Sequence, residues 1–429
     1  MYTKAIFELE RWKNSSSHKP LIVKGARQVG KTWLVKFFGE EYFDNLVYIN
    51  FDKDETAKNI FNLDYNIERI ISRLAAHTHQ DISPEKSLIF LDEVQECPKA
   101  LESLKYFAED HPEYFVVAAG SLLGVYMNVD GAFPVGKVDF VNIYPLDFCE
   151  FLYALGEKEI AKAISNKDFE FTLPFHDKLI DLYKTYLVTG GMPAVVNKYI
   201  ETKSFNEVRK EQEYLVEAYN RDFGKHAPTN EIPRIMEIFN IVPNILAKEN
   251  KKFMFGAIRE GARAREYEAA LLWLVNAGIV TKVTCANKIA LPISAYSNHD
   301  IFKLFYLDVG LLGYMARLRP ETIFADEPFL KEFKGAMAEQ FVFQELISHE
   351  ITPFYYSKDN SRVELDFLVD TSDGPTPIEV KSGVALASKS FAGVMRENGE
   401  LKLGYKISLL PYKVNDRIVN LPIYLTGEI

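Results

Sequence analysis

The stretch Gly25-Ala26-Arg27-Gln28-Val29-Gly30-Lys31-Thr32 decides how the first third of this chain folds. It matches the glycine-rich phosphate-binding loop in full, and its flanks supply the context that a bare match lacks. Leu21-Ile22-Val23 ahead of it reads as a strand, and Trp33-Leu34-Val35-Lys36-Phe37-Phe38 behind it as a helix. Glycines let the backbone turn tightly, so successive N–H groups can point inward at an anion. The helix starting near Gly30 adds the positive end of its dipole. In this reading Lys31 reaches the β- and γ-phosphates of a nucleotide and the Thr32 hydroxyl holds Mg2+. The competing reading is a strand–helix turn with an incidental Lys-Thr.

A second motif follows about sixty residues later, a usual distance for this pairing. Ser87-Leu88-Ile89-Phe90-Leu91-Asp92-Glu93 is a buried-strand run that ends in two carboxylates. Open α/β sheets carry ligand chemistry at the carboxyl ends of their strands. Asp92 is therefore the candidate Mg2+ ligand, direct or through water, in the role of a Walker-B acid. Glu93 is the candidate that orients or deprotonates the attacking water. A strand ending in a solvated acidic turn is the alternative. A third strand, Phe115-Val116-Val117-Ala118-Ala119, ends at Gly120-Ser121. It resembles the sensor-1 strand of AAA-like and STAND-like ATPases, whose terminal polar residue touches the γ-phosphate or the water. Ser121 is either that residue or a small side chain closing a core strand.

The chain has 429 residues, enough for about three domains at the usual domain size. A 48% hydrophobic content with 13% aromatics fills several cores. The net charge of −10 removes global steering toward nucleic acid, so any such contact needs a local patch. Cys97, Cys149 and Cys285 have no metal spacing and form no even disulfide set, which suits a reducing cytosol. The N-terminus lacks an apolar signal region. No apolar run approaches the roughly twenty residues that span a bilayer, so no membrane partner is expected. His77-Thr78-His79 lacks neighbouring ligands and reads as an exposed helix end.

Residues 1–146 alternate strands with helices, the pattern of a parallel sheet covered on both faces. Residues 147–245 read as mostly helical, a lid bundle broken once at Gly190-Gly191-Met192-Pro193. Over 246–318, helical periodicity in Phe253–Glu260 and Arg265–Ala277 precedes two strand-like runs, Ile279–Thr284 and Phe302–Leu307. That is the order of a winged helix. Within 246–265, six cations (Lys248, Lys251, Lys252, Arg259, Arg263, Arg265) face two acids (Glu249, Glu260), a basic patch in an acidic protein. It is a candidate DNA contact or a solvated helix face.

Residues 319–429 carry a second chemically pointed pattern. Val363-Glu364-Leu365-Asp366-Phe367 alternates with period two, which puts Glu364 and Asp366 on one face. In Pro377-Ile378-Glu379-Val380-Lys381-Ser382, Glu379 and Lys381 share a face. Carboxylates on two adjacent strands beside a lysine suit Mg2+-dependent phosphodiester hydrolysis. Asp366 and Glu379 are the candidate metal ligands and Lys381 orients the water or offsets phosphate charge. Upstream, Glu339 lies on a helix side shared with Val342, Phe343 and Leu346, where a carboxylate is costly unless a cation meets it. The alternative is salt bridging, Glu379 to Lys381 or to Arg362.

These motifs, with Leu-Asp-Glu-Val-Gln-Glu, Ala-Gly-Ser, Phe-Pro-Val-Gly-Lys, Tyr-Pro-Leu-Asp-Phe-Cys-Glu-Phe-Leu and Gly-Gly-Met-Pro, give the chain a family likeness. It resembles bacterial and archaeal AAA-like P-loop ATPases that carry a C-terminal domain of unknown function of restriction-endonuclease-like fold. The resemblance implies an α/β protein: a P-loop ATPase core (1–146), helical lid (147–245), winged helix (246–318) and nuclease-like domain (319–429). It implies that Gly25, Ala26, Arg27, Gln28, Val29, Gly30, Lys31 and Thr32 bind ATP, and that Asp92 and Glu93 serve Mg2+ and water. Glu339, Asp366, Glu379 and Lys381 match the nuclease-like positions. Lys137 stands where relatives often have arginine, and it lacks the planar fork of a trans-acting arginine finger. The expectation is a cytoplasmic Mg2+-dependent ATPase, with a homo-oligomer as a candidate assembly, coupled to nucleic-acid binding or cleavage. The alternative is an ATP-switched signalling or scaffold protein whose nuclease-like fold is catalytically silent.

Overall fold

The computed structural model describes residues 3–121, 123–126, 136–325, 327–358, 363–384 and 388–429. By internal contact they fall into two units, 3–144 with 276–278, and 145–275 with 279–429.

In the first unit the apolar runs become β1 (Leu21–Lys24), β2 (Asn45–Asn50), β3 (Ser87–Asp92), β4 (Phe115–Ala119) and β5 (Asp139–Asn142). They form one sheet in the order β2-β3-β4-β1-β5, parallel at every pairing. Every residue of β3 and β4 is buried, which is why neither run alternates in sequence. The helix Ile67–Thr78 covers the sheet through Ile67, Ile70, Ile71 and Leu74, each burial stabilising by about 1.5–3 kcal/mol. His79 caps that helix in the left-handed region, and His77 pairs with Asp54 at 2.7 Å. The strand order puts β4 between β1 and β3. The ends of three strands therefore meet at one edge, with Asp92 in register between Asn50 and Ala119. Of Phe-Pro-Val-Gly-Lys, residues 133–135 lie outside the described residues; Lys137 pairs with Glu109 at 2.9 Å.

The second unit begins with helices, among them Phe148–Ala154, His176–Thr189, Pro193–Thr202, Phe205–His226 and Ile232–Leu246. Its strands are β6 (Val280–Ala286), β7 (Ser297–Tyr306), β8 (Phe354–Ser357), β9 (Glu364–Thr371), β10 (Gly374–Val380), β11 (Gly404–Ser408), β12 (Lys413–Asn415) and β13 (Ile418–Pro422). They form one mixed sheet in the order β12-β13-β11-β10-β9-β8-β6-β7. The β6–β7 hairpin is thus continuous with the C-terminal strands, through parallel pairing of Cys285 with Tyr355 and Ala286 with Tyr356.

One expected element takes another form. Phe253–Glu260 is not a helix but a single tight turn at Phe255–Ala257. The Phe253 N–H donates to the Phe302 carbonyl of β7 at 2.8 Å, which draws the chain out of helical geometry, and Gly261 turns at φ +79°. Ala264–Asn276 is the one helix between there and β6 among the described residues.

Two of the sequence motifs prove architectural. Asp147 and Glu150 form a reciprocal capping box at the start of Phe148–Ala154. The Gly190-Gly191 break lets the chain pass against Asp308, whose carboxylate accepts from the Gly191 N–H at 2.6 Å. A Cβ at Gly191 would stand 2.0 Å from the Leu146 carbonyl oxygen, so only glycine fits.

Candidate functional site

The strand-end edge of the first unit assembles the nucleotide motifs. Gly25 at φ +151° and Gly30 at φ +98° let the loop wrap, and Gly30 caps the helix Lys31–Tyr42. Lys31 is buried and donates to the carbonyls of Gly25 at 2.9 Å and Ala26 at 2.8 Å. Burial pulls its ammonium down to about 8, against the raising effect of Glu93 and Asp92. Thr32 Oγ1 donates to Asp92 Oδ2 at 3.1 Å, which joins the two motifs directly. The Tyr48 hydroxyl donates to the same oxygen at 3.0 Å, and the Glu93 N–H to Oδ1 at 3.1 Å. Burial holds the Asp92 carboxyl above its ordinary range while the Tyr48 and Thr32 bonds draw it back. Glu93 sits in the left-handed region at φ +51°. Its Oε2 accepts from Gln95 Nε2 at 2.6 Å and from Ser121 Oγ at 3.4 Å.

Lys31, Thr32, Asp92, Glu93 and Ser121 therefore come together. Tyr48 and Gln95 were not anticipated. Tyr48 has a signal in hindsight: it is the polar-tipped residue in the run Leu46-Val47-Tyr48-Ile49, and Lys36 lies over its ring at 3.6 Å. A hydroxyl and a carboxylate 3.1 Å apart are hard oxygen donors of the kind Mg2+ takes alongside phosphate oxygens and water.

The second unit gathers Glu339, Asp366, Glu379 and Lys381, but in different company from that expected. Glu339 is 5% exposed on the helix Lys331–Ser348. Lys251 Nζ bonds its Oε1, and Lys303 from β7 stands 4.0 Å from its Oε2. Lys303 is itself buried, pairs with Glu364 at 2.9 Å and lies 4.8 Å over the Tyr355 ring. Lys381 Nζ pairs with Glu379 at 2.6 Å. Asp366 Oδ2 accepts from the Val380 N–H at 2.7 Å. Burial, then the Glu339 and Glu379 charges, push the Asp366 carboxyl well above its ordinary range, against the pull of Lys303 and Lys251. Burial alone would lower Lys303, but Glu339 and Glu364 outweigh it and hold the ammonium above its ordinary value. Glu339 Oε2 has no hydrogen-bond partner among the described residues. No group of three or more His, Cys, Asp or Glu among them is arranged to hold a metal ion. Arg362 lies outside the described residues. Glu339, Glu364 and Glu379 each stand beside a lysine, while Asp366 accepts from the Val380 N–H.

The basic patch is also partly committed. Lys251 and Lys252 pair with Glu339 and Glu364, and Arg259 with Glu266 at 3.7 Å.

Comparison with known proteins agrees with the first unit. Residues 17–152 match the family model of an AAA domain. Residues 180–322 and 334–425 match two domains of unknown function, DUF8612 and DUF4143. The chain thus contains a P-loop ATPase-like domain of AAA type. No curated protein matches it. Among solved structures, a Walker-type ATPase of Pyrococcus abyssi is similar at 13% identity, covering 73% of this chain and 95% of that one, with a TM-score of 0.46. The Orc1 protein of Aeropyrum pernix, solved in complex with DNA, is similar at 11% identity over 78% and 95%, with a TM-score of 0.28. No helix among the described residues is long and apolar enough to cross a membrane.

Proposed function

We propose that this chain binds ATP with Mg2+ and hydrolyses it. The observation that carries the reading is the Thr32–Asp92 hydrogen bond, which puts both expected Mg2+ donors beside Lys31 and Glu93. The loop N–H groups and Lys31 hold the phosphates, and Thr32 with Asp92 would hold the ion. Bound there, Mg2+ would neutralise charge on the phosphate oxygens. Glu93 orients the attacking water and accepts its proton. Lys31→Ala should abolish nucleotide binding, measured by fluorescent-nucleotide titration. Glu93→Gln should bind ATP and fail to release phosphate; unchanged turnover would remove the water-activating role. The free thiols Cys97, Cys149 and Cys285 suit a reducing, cytosolic setting.

For the C-terminal cluster, cleavage of nucleic acid and a catalytically silent module are the two readings. Lys303 and Lys251 favour the second: they give Glu339 and Glu364 the cation that a metal would otherwise supply. On this reading ATP switches a scaffold. Incubating the full chain with single- and double-stranded DNA and RNA, in Mg2+ or Mn2+ and with or without ATP, should leave them intact. Cleavage that disappears in Asp366→Asn would reinstate the nuclease.

A further inference from the structure

The contact between Gln95 and Glu93 has a consequence for catalysis. Gln95 follows Glu93 by two residues, in the short turn Val94–Glu96 that closes the Walker-B strand. That turn and the left-handed backbone of Glu93 aim both side chains to the same place. The Gln95 amide donates to Glu93 Oε2 at 2.6 Å, and the carboxylate, an acceptor only, leaves that amide a single sensible orientation. Ser121 Oγ reaches the same oxygen from β4, so the two donors land on Oε2. Gln95 is 7% exposed, and its Oε1 is buried with no hydrogen-bond partner among the described residues. A buried unmet acceptor is costly, which needs an explanation in function or packing. Gly120 supplies the packing half. A Cβ there would stand 2.2 Å from Gln95 Oε1, so the glycine of Ala-Gly-Ser makes the room in which the amide lies.

We infer that Gln95 is a positioning residue for ATP hydrolysis: it anchors Oε2 of Glu93 and so turns the other carboxylate oxygen toward the attacking water. Gly120 is the residue that permits it. The inference rests on the ATPase reading. In the step it serves, the water oxygen bonds to the γ-phosphorus as the bond to the β,γ-bridging oxygen breaks. The water's proton passes to Glu93, and ADP leaves with the electron pair. Gln95 neither gives nor takes a proton. It removes the rotational freedom of the base, and misplacement of a reacting group by about 1 Å costs on the order of a hundredfold.

The test uses the full chain, with steady-state phosphate release and separate nucleotide titration. Gln95→Met keeps length and apolar bulk but loses the donor. It should lower kcat by about ten- to a hundredfold while ATP affinity stays within twofold. A packing role alone would leave Gln95→Met active, and that result overturns the inference. Lost ATP affinity in Gln95→Met would overturn it too, by moving Gln95 from positioning to binding. Gly120→Ala should lower kcat similarly, because its methyl displaces the amide. Gln95→Ala combined with Gly120→Ala should then be no slower than Gln95→Ala alone, since both changes break one contact. Multiplying effects in that pair would also overturn it. Active wild type with active Gln95→Met removes the Gln95 role alone; inert wild type removes the ATPase reading and the Gln95 role together.

Discussion

Lys303→Met is the perturbation that most directly probes the C-terminal cluster. Methionine keeps the length and apolar stem of lysine and removes only the ammonium. That ammonium is 1% exposed, 2.9 Å from Glu364 and 4.0 Å from Glu339. Removing one partner of a buried ion pair costs about 3–5 kcal/mol, because the other charge stays buried and unpaired. Two features set the value within that range. Glu364 is 38% exposed, so water screens its loss, and Lys251 still meets Glu339. The expectation is therefore the lower end, about 3 kcal/mol. At about 2–4 °C per kcal/mol for units of this size, that is a fall in melting temperature of roughly 6–12 °C.

The assay is urea unfolding at pH 7, followed by Trp273 fluorescence, since Trp273 is buried within the second unit. The folded-state shift of Lys303 is upward, so its contribution is complete below the ordinary lysine value of about 10.4 and is lost only as pH rises through the folded value. Neutral pH is thus the right place to measure it. Lys252→Ala is the control. Its pair with Glu364 spans 3.9 Å at 29% and 38% exposure, and should be worth about 0–1 kcal/mol. Lys303→Met within about 1 kcal/mol of wild type would refute the view of Lys303 as the cluster's built-in cation.

Three further outcomes are expected. Burial pushes Asp308 up to about 6, so its share of stability is full below the ordinary aspartate range and is lost as pH rises through about 6. Asp308→Asn should lessen the fall in urea midpoint between pH 4 and 6, by up to about 1.4 kcal/mol per pH unit. Gly191→Ala, forced against the Leu146 carbonyl, should destabilise the second unit by about 1–3 kcal/mol in the same urea assay, and an unchanged midpoint would contradict the packing at that bend. For duplex DNA, Lys248, Arg263 and Arg265 are the patch cations with no ion pair among the described residues. Anisotropy titrations should give a log K against log salt slope no steeper than about −2.7, and a steeper slope would mean that the ion pairs of Lys251, Lys252 and Arg259 open on binding.

What was legible in the sequence was what depends on neighbours along the chain. The loop from Gly25 to Thr32, the closing acids Asp92 and Glu93, and the unbroken apolar runs of β3 and β4 each announce themselves within a few residues, because strand, turn and phosphate cradle are local structures. Ser121 was reachable by the same route, since its strand ends where the others do. Gln95 was written inside a quoted motif, yet its role depends on room left by Gly120 on a different strand, and no spacing rule carries that information. The C-terminal cluster separates the two kinds of knowledge most sharply. Period two correctly put Glu364 with Asp366 and Glu379 with Lys381, and a carboxylate at Glu339 correctly demanded a cation. The sequence offered Mg2+ and lysine as suppliers of that charge with nothing local to choose between them. Lys303 lies 36 residues before Glu339 and 61 before Glu364 in the chain, and it reaches both because β7 joins the sheet that β9 and β10 belong to. Once a strand from the 246–318 region is part of that sheet, a buried lysine on it pairs with Glu364 and stands 4.0 Å from the helix carboxylate of Glu339. That ammonium is paired with Glu364 at 2.9 Å, so the charge Glu364 brings to the cluster is already met from within the fold. Lys251 and Lys252 likewise pair with Glu339 and Glu364, so the carboxylate cluster draws two of the patch cations away from any phosphate backbone.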